Sequence, residues 1–158
     1  MAVACFQSPT IQGDVVFTPK RGGLRVIATF TKLPNGDHGF HIHKAGDLRG
    51  EGCQGACEHF DLTGSPHGAD PNSKEPRHTG DLGNIRGPRC RKTYFLKNLT
   101  PADLFGRSVI IHEDPDDLGK GEHDDSATTG HSGKRIGCAI IGRLSCLSIQ
   151  SKTRKHRS

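Results

Sequence analysis

Two histidines one residue apart in an apolar stretch, His41 and His43 in GFHIH, are the first residues whose type and spacing could do chemistry. Side chains alternate along an extended strand, so both imidazoles fall on one face and can share an ion. His112 closes another apolar stretch, SVIIH, and can supply a third nitrogen. Three or four imidazoles in a tetragonal arrangement suit Cu(II). A lone strand histidine is most often a hydrogen-bonded core residue; its repetition on two strands is what points to a metal.

A second group follows His43. His59, His67, His78 and Asp81 offer three nitrogens and a carboxylate, a set that tetrahedral Zn2+ accepts. Their spacings of eight, eleven and three require a loop that wraps around the ion. The ion in turn would order a segment with too few apolar residues to fold unaided.

Short strands must position these residues. Runs of β character at 3–7, 14–18, 24–31 and 38–43 are separated by turns at 19–23 and 34–36. The pattern then stops until Asp81, resumes at 81–85, 93–99 and 107–113, breaks for a polar loop at 114–134, and ends at 136–144. Eight short strands with two long loops predict an all-β antiparallel sandwich or barrel.

Composition agrees with that reading. The chain has 158 residues, 21 glycines, nine prolines and no tryptophan, which suits one turn-rich domain better than a helical bundle. Of the net charge of +5, Lys152, Arg154, Lys155 and Arg157 supply four, so the rest is nearly neutral and a nucleic-acid-binding surface is not expected. The biased end reads as a solvated, disordered tail. The N-terminus lacks a basic region followed by an apolar run, and no segment approaches the ~20 apolar residues of a membrane helix. A soluble, cytoplasmic protein with no membrane partner is expected, its cysteines mostly free thiols.

The chain resembles the eukaryotic-type copper-zinc superoxide dismutases in HGFHIHKAGD at 38–47, the Cys53 and His59 region, RHTGDLGN at 77–84, SVIIHEDPDDLGKG at 108–121 and TGHSGKRIGCAIIG at 129–142. The likeness spans residues 1–144 as one domain and leaves 145–158 as the basic tail. It implies an eight-stranded Greek-key β-sandwich. It also implies one copper ion per subunit on His41, His43, His59 and His112, and one zinc ion on His59, His67, His78 and Asp81. His59 would then serve both ions, since an imidazole that has lost both protons has a lone pair on each nitrogen.

The implied activity oxidises one superoxide to oxygen at Cu(II) and reduces a second to hydrogen peroxide at Cu(I), with no organic cofactor. His59, released from Cu(I), would carry a proton to the reduced oxygen. Arg135, in GKRIGC, matches the family's anion-guiding arginine. Thr129 matches a channel-wall position, and Asp116 matches a carboxylate that links the outer nitrogens of His41 and His67. Asp124 and Asp125 keep an acidic pair, but Thr128 and Asp114 stand where basic residues are common. A changed steering field for the anion is therefore expected.

Cys53 and Cys138 match the family's intrasubunit disulfide, with Cys57 an unusual neighbour able to compete for Cys138; Cys5, Cys90 and Cys146 are expected to be free. The resemblance implies a homodimer, although Arg143 replaces a commonly apolar interface residue and the 93–106 region is short. A copper-delivery chaperone is a further partner the family allows. The sequon at Asn98 is expected to be unused, with Pro101 following it. One rival reading is a non-catalytic superoxide-dismutase-like metal-binding, chaperone or decoy protein. The presence of every copper-set histidine and of Arg135 favours catalysis over it. A plain immunoglobulin-like binding sandwich does not account for the clustered histidines.

Overall fold

Alternation in the sequence becomes two facing sheets in the computed structural model, which describes residues 1–145. Of the expected disordered tail, 145–158, all but Ser145 lies outside the described residues, and Cys146 with it. The strands are β1 (Ala2–Gln7), β2 (Gln12–Lys20), β3 (Gly23–Lys32), β4 (Gly36–His43), β5 (Asp81–Gly87), β6 (Cys90–Lys97), β7 (Ser108–His112), β8 (Arg135–Ile140) and β9 (Gly142–Arg143). One sheet has the order β6-β3-β2-β1-β9 and the other β5-β4-β7-β8, with every pair antiparallel. The arrangement is an open Greek-key sandwich; neither sheet closes into a barrel. No helix among the described residues is long and apolar enough to cross a membrane.

Each strand contributes every second side chain to the core: Ala2, Ala4 and Phe6 from β1, Val15 and Phe17 from β2, Leu24, Val26, Ala28 and Phe30 from β3, and Tyr94 and Leu96 from β6. The second sheet answers with Phe40 and Ile42 of β4 and Val109 and Ile111 of β7. Phe30 meets Phe6 and Phe40 edge-on, with ring centroids 5.4 and 6.0 Å apart.

The expected last strand, 136–144, is two strands. β8 pairs with β7, the backbone of Ile141 exchanges hydrogen bonds with Gly106 and Arg107 at 3.0 and 2.9 Å, and β9 then pairs with β1 in the other sheet. The chain crosses between sheets at the buried Ile141, and one continuous apolar run conceals that crossing. The eight expected strands thus become nine.

β4 is buried throughout from His38 to His43. Phe40 and Ile42 face the core, whereas His41 and His43 face the other way and are covered by the two long loops, 44–80 and 113–134. Those loops carry little regular structure beyond a 3-10 segment, Glu51–Ala56, and a single helical turn, α1 (Ser126–Thr129).

Replacing the fully buried Phe40 by alanine leaves a cavity under both sheets. Urea unfolding of Phe40→Ala at fixed metal content should show a loss of about 3–5 kcal/mol with an unchanged denaturant slope.

Candidate metal centre

Strand register brings the first set of histidines together. His41 and His43 lie on one face of β4, opposite Ile110 and Ser108 of β7, and His112 lies on that same face two residues beyond Ile110. The first long loop then runs back beside β4: Lys44 N–H donates to Glu58 O at 2.9 Å, Phe60 N–H donates to Ile42 O at 2.8 Å, and His59 forms an isolated bridge with His43. One nitrogen from each of His41, His43, His59 and His112 lies within 4.8 Å of the other three, all four residues being buried.

Hydrogen-bond partners fix which nitrogen is free. A carbonyl oxygen can only accept, so His43 donates from Nδ1 to Cys57 O (2.8 Å) and His112 donates from Nδ1 to Gly133 O (3.1 Å). Their Nε2 atoms, 3.4 Å apart, are left with lone pairs. His41 gives its Nε2 to Asp116 Oδ2 at 2.5 Å, which leaves Nδ1. His41 Nδ1 and His59 Nε2 are buried without a hydrogen-bond partner.

The second set converges on one carboxylate oxygen. Asp81 Oδ1 lies 2.9 Å from Nδ1 of His59, 2.9 Å from Nδ1 of His67 and 3.4 Å from Nδ1 of His78, while His59 and His78 Nδ1 are 3.3 Å apart. The edges of a tetrahedron of ligands at zinc distances are ~3.3 Å. Backbone N–H groups of Gly68 and His78 hold Asp81 Oδ2 at 2.9 and 2.8 Å, which turns Oδ1 toward the nitrogens. His67 Nδ1 has no aligned hydrogen bond despite that 2.9 Å approach. His41 also has a nitrogen within 4.8 Å of His59, His67 and Asp81. With its Nε2 on Asp116, however, the direct Nδ1 contacts favour His78 for the fourth place.

Unpartnered buried nitrogens are rare and costly, and the three at these two sets fit ligands of a cation. Protonation states agree. Burial drives His41 and His43 well below the ordinary imidazole value, with the neighbouring rings adding to the effect. Burial lowers His112 to about 4, with its bond to Gly133 opposing, and lowers His59 against the pull of Asp81. These rings are neutral donors at pH 7. Burial pushes Asp81 up, but the close imidazole nitrogens of His59, His67 and His78 outweigh it and keep the carboxylate ionised. His67 is raised to about 9 against its own burial, because Asp116 and Asp81 flank it.

Asp116 joins the sets from outside, with Oδ1 on His67 Nε2 at 2.7 Å and Oδ2 on His41. The sequence motifs do not single out Asn84, yet it fixes that carboxylate's backbone: its Oδ1 accepts from Asp116 N–H at 2.7 Å, and its Nδ2 donates to Asp116 O at 3.0 Å. Nor do they single out Gly130. Its φ is +70, and a Cβ there would overlap Asp116 Oδ1 and His67 Nε2. His38, the other histidine of the HGFHIH segment, belongs to neither set; its ring nitrogens meet the carbonyls of His112 and Pro34 at 2.9 and 3.0 Å.

Arg135 is half-buried beside the first set. Its Nη1 donates to Cys53 O at 2.8 Å and its Nη2 to Cys57 O at 2.6 Å, the carbonyl that His43 also uses. Its charge helps to depress His43 and His112. Cys53 and Cys138 form the disulfide, 85 residues apart in sequence, which ties the 3-10 segment to β8. In the chain-entropy description this closure stabilises by about 3–5 kcal/mol. Cys57 is free and exposed, with φ 63 and ψ −153. Glycine alone adopts that region readily, and a side chain there costs about 1–3 kcal/mol. Thr129 donates to Asp125 at 3.2 Å, and its neighbour Thr128 lines a cleft with His59, His78 and Arg107.

A family model described as copper/zinc superoxide dismutase matches residues 11–141. This chain belongs to the copper/zinc superoxide dismutase family. A superoxide dismutase [Cu-Zn] of Paramecium bursaria Chlorella virus 1 is 41% identical over 148 residues, covering 89% of this chain and 77% of that protein. The crystal structure of the clock protein EA4 superposes with a TM-score of 0.80 at 38% identity, covering 90% of this chain and 94% of that one. The two histidine sets and the Cys53–Cys138 bridge are the features of this superoxide dismutase scaffold on which a metal-based reading rests.

Removing the carboxylate between the sets should loosen the second one. In a chelator competition, Asp116→Ala should retain zinc about 10–100-fold less tightly than the parent chain, and Gly130→Ala should shift in the same direction.

Proposed function

We propose that this chain is a copper-zinc superoxide dismutase that converts superoxide to oxygen and hydrogen peroxide. One observation carries the proposal: His59 has Nδ1 in the Asp81 set and an unpartnered Nε2 among three further neutral imidazoles, with a guanidinium alongside. In this reading His41, His43, His59 and His112 hold copper, and His59, His67, His78 and Asp81 hold zinc. Bound copper supplies one-electron exchange with superoxide in both directions, and zinc adds a fixed positive charge.

The chain's own residues provide the rest. Arg135 attracts the small anion and orients it, and the carbonyls of Cys53 and Cys57 hold the guanidinium in one position so that little reorganisation is needed. His59 Nε2 takes up a proton and returns it to the reduced oxygen. Burial lowers its affinity for that proton, which suits a donor, and the Asp81 set would hold the ring through Nδ1 while the proton moves. Asp116 keeps His41 and His67 in the tautomers that present Nδ1.

A homodimer is part of the same reading. Ile136, Ile140 and Leu144 leave apolar side chains exposed along the last strands, while Arg143 is committed within the chain to the ring of Phe105, 5.2 Å away. Nothing in the structure supports a copper-delivery chaperone. EA4, which shares this fold, is described as a clock protein, so a non-catalytic member of the family is the reading to exclude.

Superoxide disproportionation by the copper- and zinc-loaded protein, with metal content measured on the same sample, separates the two. Copper-dependent activity should fall about tenfold or more in Arg135→Ala at unchanged metal content. A fully metallated but inactive parent protein would overturn the catalytic reading.

A further inference from the structure

We infer that Cys57 is an internal exchange partner for the Cys53–Cys138 disulfide, so that the loop carrying the Arg135-binding carbonyls holds a thiol–disulfide switch. Neither bound metal nor catalysis is needed for such an exchange. A free, exposed cysteine occupies a backbone conformation suited to glycine, in the segment that also holds the bridge. Nothing in the packing explains a side chain there, since the thiol's own contact is a weak one to Gly55 O at 3.4 Å.

Proximity follows from two observations. Cys57 N–H donates to Gln54 O at 3.1 Å, which closes a tight turn that begins at the residue after Cys53. The carbonyls of Cys53 and Cys57 accept from the two terminal nitrogens of one guanidinium, so the backbones of the two residues are held close together. Only three residues separate them, and a short tether gives an attached thiol an effective concentration in the millimolar range.

The step balances without an external oxidant or reductant. The Cys57 thiolate attacks Sγ of Cys53; a Cys53–Cys57 bond forms as the Cys53–Cys138 bond breaks. Cys138 leaves as a thiolate and takes from solvent the proton that Cys57 gave up. β8 then loses its covalent tie to the 3-10 segment and keeps only the Arg135 hydrogen bonds. The carbonyls that grip Arg135 and the Nδ1–H of His43 belong to the two residues that have re-paired. Thiol state and the geometry of the anion-binding arginine are thereby joined in one loop.

Peptide mapping tests this on the full chain. The oxidised protein, freed of small thiols, is incubated at neutral pH, quenched in acid, alkylated with N-ethylmaleimide and digested with trypsin without reduction. Cleavage after Arg49 and Lys74 places Cys53 and Cys57 on one peptide, and cleavage after Arg135 and Arg143 places Cys138 on another. The expected result is an unalkylated 50–74 peptide closed on itself together with an alkylated 136–143 peptide, increasing with time. Cys57→Ser and Cys57→Gly should both give only the cross-linked pair, with Cys138 labelled about tenfold less than in the parent. The glycine variant suits the local backbone and guards against a folding defect in the serine one. Equal labelling of Cys138 in parent and variants, a Cys57–Cys138 link, or a parent that keeps Cys57 fully alkylated throughout would overturn the inference.

Discussion

Imidazole nitrogens crowded together in the interior, several of them without a hydrogen-bond partner, are the constraint on which this structure depends. Four imidazole nitrogens meet at one point, and three more meet a carboxylate oxygen at another; His59 contributes to both. Burial keeps His41, His43, His59 and His112 neutral, so protons do not relieve the crowding on that side. One cation in each set would satisfy that set's atoms at once, whereas water or a hydrogen bond would satisfy one or two.

The sandwich supplies what the constraint demands, which is rigidity. β4 and β7 are central strands of their sheet, held on both edges, and their core-facing residues Phe40, Ile42, Val109 and Ile111 fix the pleat that turns His41, His43 and His112 outward. The loops that cover this outward face have too little apolar content to fold alone. They are held by polar ties to the same residues: Asp81 to the His67–His78 segment, Asp116 to both sets, and Asn84 to Asp116. The loops therefore owe their order to the site that they enclose.

A second chain of ties runs through Cys57. Its carbonyl accepts from both His43 and Arg135, and the Cys53–Cys138 bridge anchors the same turn to β8. The tautomer of one histidine and the position of the guanidinium beside it are thus set by a single turn of backbone, so a strained residue in that turn has consequences beyond its own conformation.

Much of this was legible in the sequence because its physical basis is local. Alternation determined the strands and put His41 and His43 on one face; two long polar stretches marked the loops; the resemblance implied the Asp116 link and the disulfide, and both pairings are present in the structure. What tertiary structure alone decided depends on partners distant in sequence. The last apolar run divides at Ile141 because its second half finds β1 in the other sheet. Asn84 and Gly130 matter through a backbone bond and a clearance that no spacing encodes. Which nitrogen each histidine presents was fixed by carbonyls at Cys57 and Gly133 and by the Asp116 carboxylate. A sequence specifies the ring, but only the fold chooses the acceptor that takes its proton.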